Sequence, residues 1–249
     1  LVGAMGGFRS DGTWRNWAGN QVAHPARVER PRTEEEVSAL VRRAAAEGRQ
    51  VRVVGAGHSF TAIAVTDDVL VTLDDLAAVV DIDRETGLVR VQAGIRLTAL
   101  NPLLHAAGLA MPNLGDIAYQ SVAGAISTST HGTGLGFRSI ADGVVGLRLV
   151  TGDGFVLACD GGQNADLLHV ARVGLGALGI VTEVTLRCVP AFNLHAIEEV
   201  LPIDEVLDRF DGFAEATDHT EFFWMPHTAN VQVKRNTRTT EAPPPARNA

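Results

Sequence analysis

At 249 residues, with 46% hydrophobic and 20% charged side chains, the chain can bury a proper core and reads as one or two globular domains. A net charge of −8 argues against a nucleic-acid groove, and two cysteines, Cys159 and Cys188, are too few for a disulfide framework and lack metal-ligand spacing. No apolar run approaches the roughly 18–20 residues of a membrane span, and 26 glycines, against a usual share of about 7%, suit backbone threaded around a cofactor.

The chain opens at Leu1 rather than Met and reads as a fragment. Nothing there resembles a secretory leader, so a cytoplasmic location is expected, with peripheral membrane association as the alternative. In the N-terminal segment, residues 1–22, Trp14, Asn16 and Trp17 read as a lid or an anchor. Thr33-Glu34-Glu35-Glu36 is a capping box, Val37, Leu40, Val41 and Ala44 follow at helical spacing, and Gly48 closes that helix. Val51 to Val54 and Val69 to Leu73 read as buried strands. Val79 to Asp83 and Leu88 to Ala93 read as a hairpin about Arg84-Glu85-Thr86-Gly87. A helix over Leu97 to Ala107 stops at Gly108. Strands follow at Gly143 to Val150 and Phe155 to Ala158, then a helix near Ala165 to Arg172 and a long strand from Ile180 to Val189. After Pro190 the pattern predicts a strand over His195 to Leu201, a helix over Ile203 to Ala216 and a strand over Glu221 to Met225. Residues 241–249, with three consecutive prolines, read as a disordered tail. Strands and helices mix without strict alternation, which favours an α+β fold over a doubly wound sheet.

The stretch from Val53 to Phe60, Val-Val-Gly-Ala-Gly-His-Ser-Phe, carries the most information. Gly55 and Gly57 admit close approach of a ligand, and His58 presents an imidazole beside them. This is not a nicotinamide-dinucleotide fingerprint: Phe60 stands at the third glycine position, and Thr61 to Asp68 lack the amphipathic helix that fingerprint needs. Read alone, His58 is a structural histidine hydrogen-bonded beneath a loop. Ser121-Val122-Ala123-Gly124-Ala125 reads as a helix start capped by Ser121, with free N–H groups for phosphate oxygens. Thr128, Ser129 and Thr130 add hydroxyl donors, Gly132 and Gly134 let the chain turn, and no Lys or Arg lies between Arg96 and Arg138. The alternative is a loop that caps itself. His131 either faces a ligand or orders the loop. Asp116, read locally, is an Asx-turn residue.

Four stretches in order carry a resemblance: Gly55 to Ser59, Gly115-Asp116-Ile117 with Ser121 to Gly124, Ser127 to Gly134, and Gly176 to Val181. Together they resemble the vanillyl-alcohol-oxidase type of flavoprotein, in its sugar-lactone and alditol oxidase branch, from about Trp14 to Lys234. The resemblance implies an FAD-binding domain over residues 23–190, made of two α+β subdomains (23–74 and 75–190), and the truncated start of a substrate domain over 191–240. It implies FAD held by Gly55, Ala56, Gly57, His58 and Ser59, by Asp116, Ser121 and Gly124, by Thr128, Ser129, Thr130 and His131, and by Ile180 at a strand edge that reads the adenine. It implies covalent attachment through His58, oxygen access at Gly115, and no metal. Some relatives carry Ser where this chain has Asp116, which leaves the ring-side hydrogen bond open. The implied activity is oxidation of a sugar-1,4-lactone by hydride transfer to flavin, with oxygen or another electron acceptor. The alternatives are an alditol or other polyol as substrate, or a fragment that holds FAD and turns nothing over. Glu221 to Thr228 and Lys234-Arg235-Asn236 resemble the opening strands of the substrate domain, with His227 read as a surface residue and a ligand-facing role as the alternative. The acid and base groups of that branch lie further along, so no catalytic residue is assigned.

Overall fold

The computed structural model describes residues 6–242. Most of the expected tail, residues 243–249, lies outside the described residues, as do residues 1–5 of the N-terminal segment.

Three two-residue strands, β1 (Gly7–Phe8), β2 (Trp14–Arg15) and β3 (Val22–Ala23), form an antiparallel ribbon. Then come β4 (Arg27–Glu29), α1 (Glu34–Ala46), β5 (Val51–Val54) and β6 (Val69–Thr72), whose strands make a parallel sheet in the order β4-β6-β5. The central strand β6 is buried at every residue, as a parallel sheet covered on both faces requires. The Thr33 hydroxyl starts α1 by accepting from the Glu36 N–H at 3.2 Å. The Glu36 carboxylate reaches back to the Arg32 N–H at 2.7 Å, one residue before the cap. Val37, Leu40, Val41 and Ala44 then pack on Val69 and Val71.

The hairpin β7 (Val79–Asp83) and β8 (Leu88–Gln92) leads through α2 (Leu97–Ala106), β9 (Leu109–Ala110) and α3 (Val122–Ser127). Next are β10 (Val144–Val150), β11 (Val156–Asp160), α4 (Ala165–Ala171) and β12 (Ile180–Arg187). These build an antiparallel sheet in the order β11-β10-β12-β8-β7. The expected long strand stops at Arg187, and β13 (Val189–Pro190) turns away to pair with β9. In β12, Ile180, Thr182, Val184 and Leu186 are buried in alternation, the period-2 signature of a sheet with one core face. Both cysteines are free and buried in this core, and burial pushes Cys188 up to about 11.

One polar contact ties α1 to this sheet. Glu34 accepts from Arg148 Nε at 3.1 Å and from the Thr182 hydroxyl at 2.6 Å. Burial pushes the Glu34 carboxyl up, but the hydrogen bonds from Arg148 and Thr182 overcome it and hold the group below its ordinary value.

The last sheet holds β14 (Asn193–Pro202), β15 (His219–Trp224) and β16 (Asn230–Thr239), in the antiparallel order β14-β16-β15, with α5 (Ile203–Ala216) between β14 and β15 in sequence. One face packs on α5, where Val206 and Phe210 meet Val231, Val233 and Phe222. No helix among the described residues is long and apolar enough to cross a membrane.

Candidate functional site

The loop after β5 is pinned by its carbonyls. Ala56 O accepts from the Gly6 N–H at 3.0 Å and Gly57 O from the Trp17 N–H at 2.8 Å. Ser59 O accepts from Asn16 Nδ2 and Phe60 O from Asn20 Nδ2, each at 3.0 Å. The N–H groups of Gly55 to Phe60, in contrast, donate to no backbone carbonyl among the described residues. A row of free N–H groups is an anion-binding arrangement. The N-terminal ribbon is therefore the anchor that Trp14, Asn16 and Trp17 suggest. Trp14 is buried in a small core with Val54 and Leu70, and Asn16 is buried beneath the loop.

Two glycines make close contacts here, Gly55 against a hydroxyl that caps α3 and Gly57 against a ring and backbone. A Cβ on Gly55 would stand 2.6 Å from the Ser121 hydroxyl, and Gly57 has φ +69 with its Cβ position 2.9 Å from the Trp14 ring. The loop thus lies against α3, and between them opens a cavity of about 510 Å³, within the usual range for small-molecule sites. Gly55, Ala56, Gly57, His58 and Ser59 line it, with Ser121, Gly124, Thr128 and Ile180 opposite.

The α3 terminus differs from the sequence expectation. Its N–H groups are not free: Val122 donates to Ile95 O at 2.8 Å, Ala123 to Ala93 O at 3.1 Å, and Gly124 to the Ser121 hydroxyl at 3.2 Å. The Thr128 hydroxyl turns back to Gly124 O at 3.0 Å, so the self-capping alternative holds for it. The open donors therefore belong to the glycine loop. Ile180 likewise is not on an edge strand, since β12 sits in the middle of its sheet. Ile180 pairs with Val150, and the β8 register begins only at Glu183, so the start of β12 overhangs beside the cavity.

His58 is half-buried, with Trp17 stacked at 5.7 Å between ring centroids and an interplanar angle of 29°. Its Nε2 is buried without a hydrogen-bond partner. Burial, then the nearby Arg96 charge, lowers its pKa, so the imidazole is neutral and nucleophilic at neutral pH. Arg96 is held by Asp74, which also lines the cavity. Sequence reasoning missed this pair, and it missed Arg52, a cation that β5 places on the cavity wall.

The remaining predicted residues fall elsewhere. Gly115, Asp116 and His131 line a second cavity of about 490 Å³ against the last sheet. Ser129, with φ +56, and His131 face a third, of about 530 Å³. Thr130 accepts from Gln120 Nε2 at 3.0 Å and orders the loop. A Cβ on Gly115 would meet His131 O at 3.2 Å, so that glycine backs onto the 129–134 loop. His227 is exposed on a turn, with φ +69. Among the described residues, no group of three or more His, Cys, Asp or Glu could hold a metal ion.

Residues 25–160, more than half of the chain, match the family described as FAD binding domain. The chain belongs to that family. Residues 184–249 match the family described as D-arabinono-1,4-lactone oxidase. Among relatives of this FAD-binding chain, L-gulono-1,4-lactone dehydrogenase of Mycobacterium tuberculosis is 43% identical over 93% of this chain and 54% of its own length. L-gulonolactone oxidase of Mus musculus is 38% identical over 94% of this chain and 53% of its own. The chain spans about half the length of the curated relatives it matches. A crystal structure of cholesterol oxidase from B. sterolicum, 21% identical, shares the fold with a TM-score of 0.82 over 94% of this chain and 49% of that one.

The cavity fits the family's cofactor on its own chemistry. It offers free backbone donors for phosphates, glycines where a Cβ would intrude, and a neutral imidazole with an unpartnered nitrogen.

Proposed function

We propose that this chain is the FAD-bearing part of an enzyme that oxidises a sugar-1,4-lactone. The observation that carries the reading is the row of unengaged N–H groups from Gly55 to Phe60, ending beside the neutral imidazole of His58. When bound, FAD would supply the redox chemistry, taking a hydride from a substrate C–H and passing electrons to oxygen or another acceptor. The protein supplies the rest. The glycine loop would hold the pyrophosphate by backbone donors, and Arg52 would add a charge on the same wall. Residues 23–74 and 75–190 would grip the cofactor between them. Support for this is that the cavity takes its lining from β5 on one side and from α3, Val150 and Ile180 on the other. The overhanging start of β12 would read the adenine by its backbone.

His58 would carry FAD covalently through its imidazole. The chemical basis is a neutral ring, held by Trp17 and short of a partner at Nε2. Residues 191–240 would begin the substrate domain, and Gly115 and Asp116 would border the reacting edge, with Gly115 leaving room for oxygen. Lactone specificity rests on the named activities of the relatives and on the match over residues 184–249.

The test is the absorption spectrum of the purified chain before and after acid precipitation. The precipitate is expected to stay yellow and to fluoresce in a denaturing gel, and His58→Ala is expected to lose both while taking up FAD reversibly. Flavin released from the wild-type precipitate would remove the covalent link. A folded sample that refuses FAD altogether would remove the whole reading. Turnover of an aldonolactone, under air and with an artificial acceptor, separates an active chain from one that only holds FAD.

A further inference from the structure

The second cavity lies where the last sheet meets the rim of the FAD-binding fold, and the sheet register explains its chemistry. Strand residues alternate between faces. Val231 and Val233 turn toward α5, so Lys234 and Asn236 turn the other way. On β15 the cross-strand partners of Asn236 and Lys234 are His219 and Glu221. An antiparallel sheet ordinarily gives its polar face to water. Here that face closes on Gly115, Asp116 and the His131 loop.

The sheet is clamped in place on this rim. His219 Nδ1 donates to Thr133 O at 2.8 Å, and the His219 ring stacks on Phe137 at 4.7 Å. The Arg238 guanidinium lies over Phe137 at 4.5 Å and over Phe192 at 4.1 Å, and it donates to Pro112 O. The polar face is therefore a fixed wall of the cavity.

Its groups are matched to a ring bearing hydroxyls and a carbonyl. Lys234 Nζ donates to Glu221 Oε1 at 3.1 Å, which leaves two of its three protons free for a carbonyl or ring oxygen. The carboxylates of Glu221 and Asp116 can only accept, and hydroxyls supply donors. Asn236 does both. Among the lining side chains Asp116 and Glu221 stand against one ammonium, with Glu198 opposite Lys234 on the neighbouring strand; the Arg238 guanidinium lies behind the wall, engaged by Pro112 O and the Phe137 and Phe192 rings. The hydrogen bond to Glu221 raises the Lys234 pKa against the lowering by burial, and Asp116 and Glu198 add to the rise.

We propose that this wall is a specificity site, formed by Lys234, Glu221, Asn236 and Asp116, that accepts the closed, uncharged sugar lactone and rejects the open-chain aldonate produced by its hydrolysis. It rests on the reading of the chain as the FAD-bearing part of a lactone-oxidising enzyme. Opening the lactone turns a neutral carbonyl into a carboxylate, and that charge would sit beside two like charges. The discrimination is built from repulsion as much as from attraction.

The experiment titrates the FAD-loaded chain with L-gulono-1,4-lactone and separately with sodium L-gulonate, in the same buffer. Binding is read by saturation-transfer NMR of the ligand and FAD load by absorbance. The lactone is expected to bind about tenfold or more tightly than the aldonate. Asp116→Asn and Glu221→Gln are each expected to narrow that ratio to about threefold or less by admitting the aldonate. Lys234→Met is expected to weaken the lactone without helping the aldonate. Equal binding of both ligands by wild type, an unmoved ratio in both carboxylate variants, or no lactone binding by a chain that has taken up FAD overturns the proposal alone. A chain that takes up no FAD overturns the parent reading and this proposal together.

Discussion

The first cavity and the second are built from different materials. Around the glycine loop the donors are backbone N–H groups, and Gly55 and Gly57 carry no side chain where a Cβ would collide with Ser121 or Trp14. Against the last sheet the functional groups are side chains, Lys234, Glu221 and Asn236, aimed by strand register. A phosphate needs many donors at short range and no particular side chain, so backbone serves. A small polyol needs donors and acceptors at distinct points, so side chains serve. The backbone-built site depends on conformation at single residues. The side-chain-built site depends on one sheet being seated correctly on another.

Three substitutions probe that contrast. The largest effect belongs to Gly57→Ala, which puts a side chain at φ +69 and 2.9 Å from the Trp14 ring. Strain and overpacking together are expected to cost about 3 kcal/mol in urea denaturation and to abolish FAD uptake. FAD affinity within twofold (about 0.4 kcal/mol) of wild type would show that the loop is not the cradle. Arg238→Ala comes next. It removes the stack on Phe137 and Phe192 and the bond to Pro112 O, worth about 2 kcal/mol. Lactone binding should fall while FAD uptake holds. Equal losses of both would mean that the two cavities are not separable.

The smallest effect belongs to Glu34→Gln, which weakens the tie between α1 and the β10 and β12 strands by about 1 kcal/mol at neutral pH. The native pKa of Glu34 is depressed, by hydrogen bonds that overcome burial. Its contribution is therefore complete above about pH 4.3, where an unfolded glutamate titrates, and is lost as pH falls through the lower native value. The stability gap between wild type and variant should close on acidification. A gap that persists to pH 2 would remove the charge from the explanation.

Much of the fold was legible because its signals are local. The Thr33 cap, the stop at Gly48, the β7–β8 hairpin and α5 from Ile203 to Ala216 each follow from residues within one or two turns of one another. The strand β16 was not. After Val231 and Val233 its apolar alternation ends, because Arg235, next on the same face, covers α5 with its guanidinium over the Phe213 ring at 4.8 Å rather than with an aliphatic side chain. The two-residue strands of the N-terminal ribbon are too short to show any period.

For the site, the chain's own pattern determined that glycines 55 and 57 form a tight loop carrying His58, since only residues without a Cβ tolerate that path. Tertiary structure alone decided which donors are free. The N–H groups at α3 look open in sequence, yet they are taken by Ile95 and Ala93, some 27 to 30 positions earlier in the chain. It also decided that Asp116 shares a cavity with Lys234, more than a hundred residues away. Hydrogen-bond partners and strand register are long-range facts, and no local spacing encodes them.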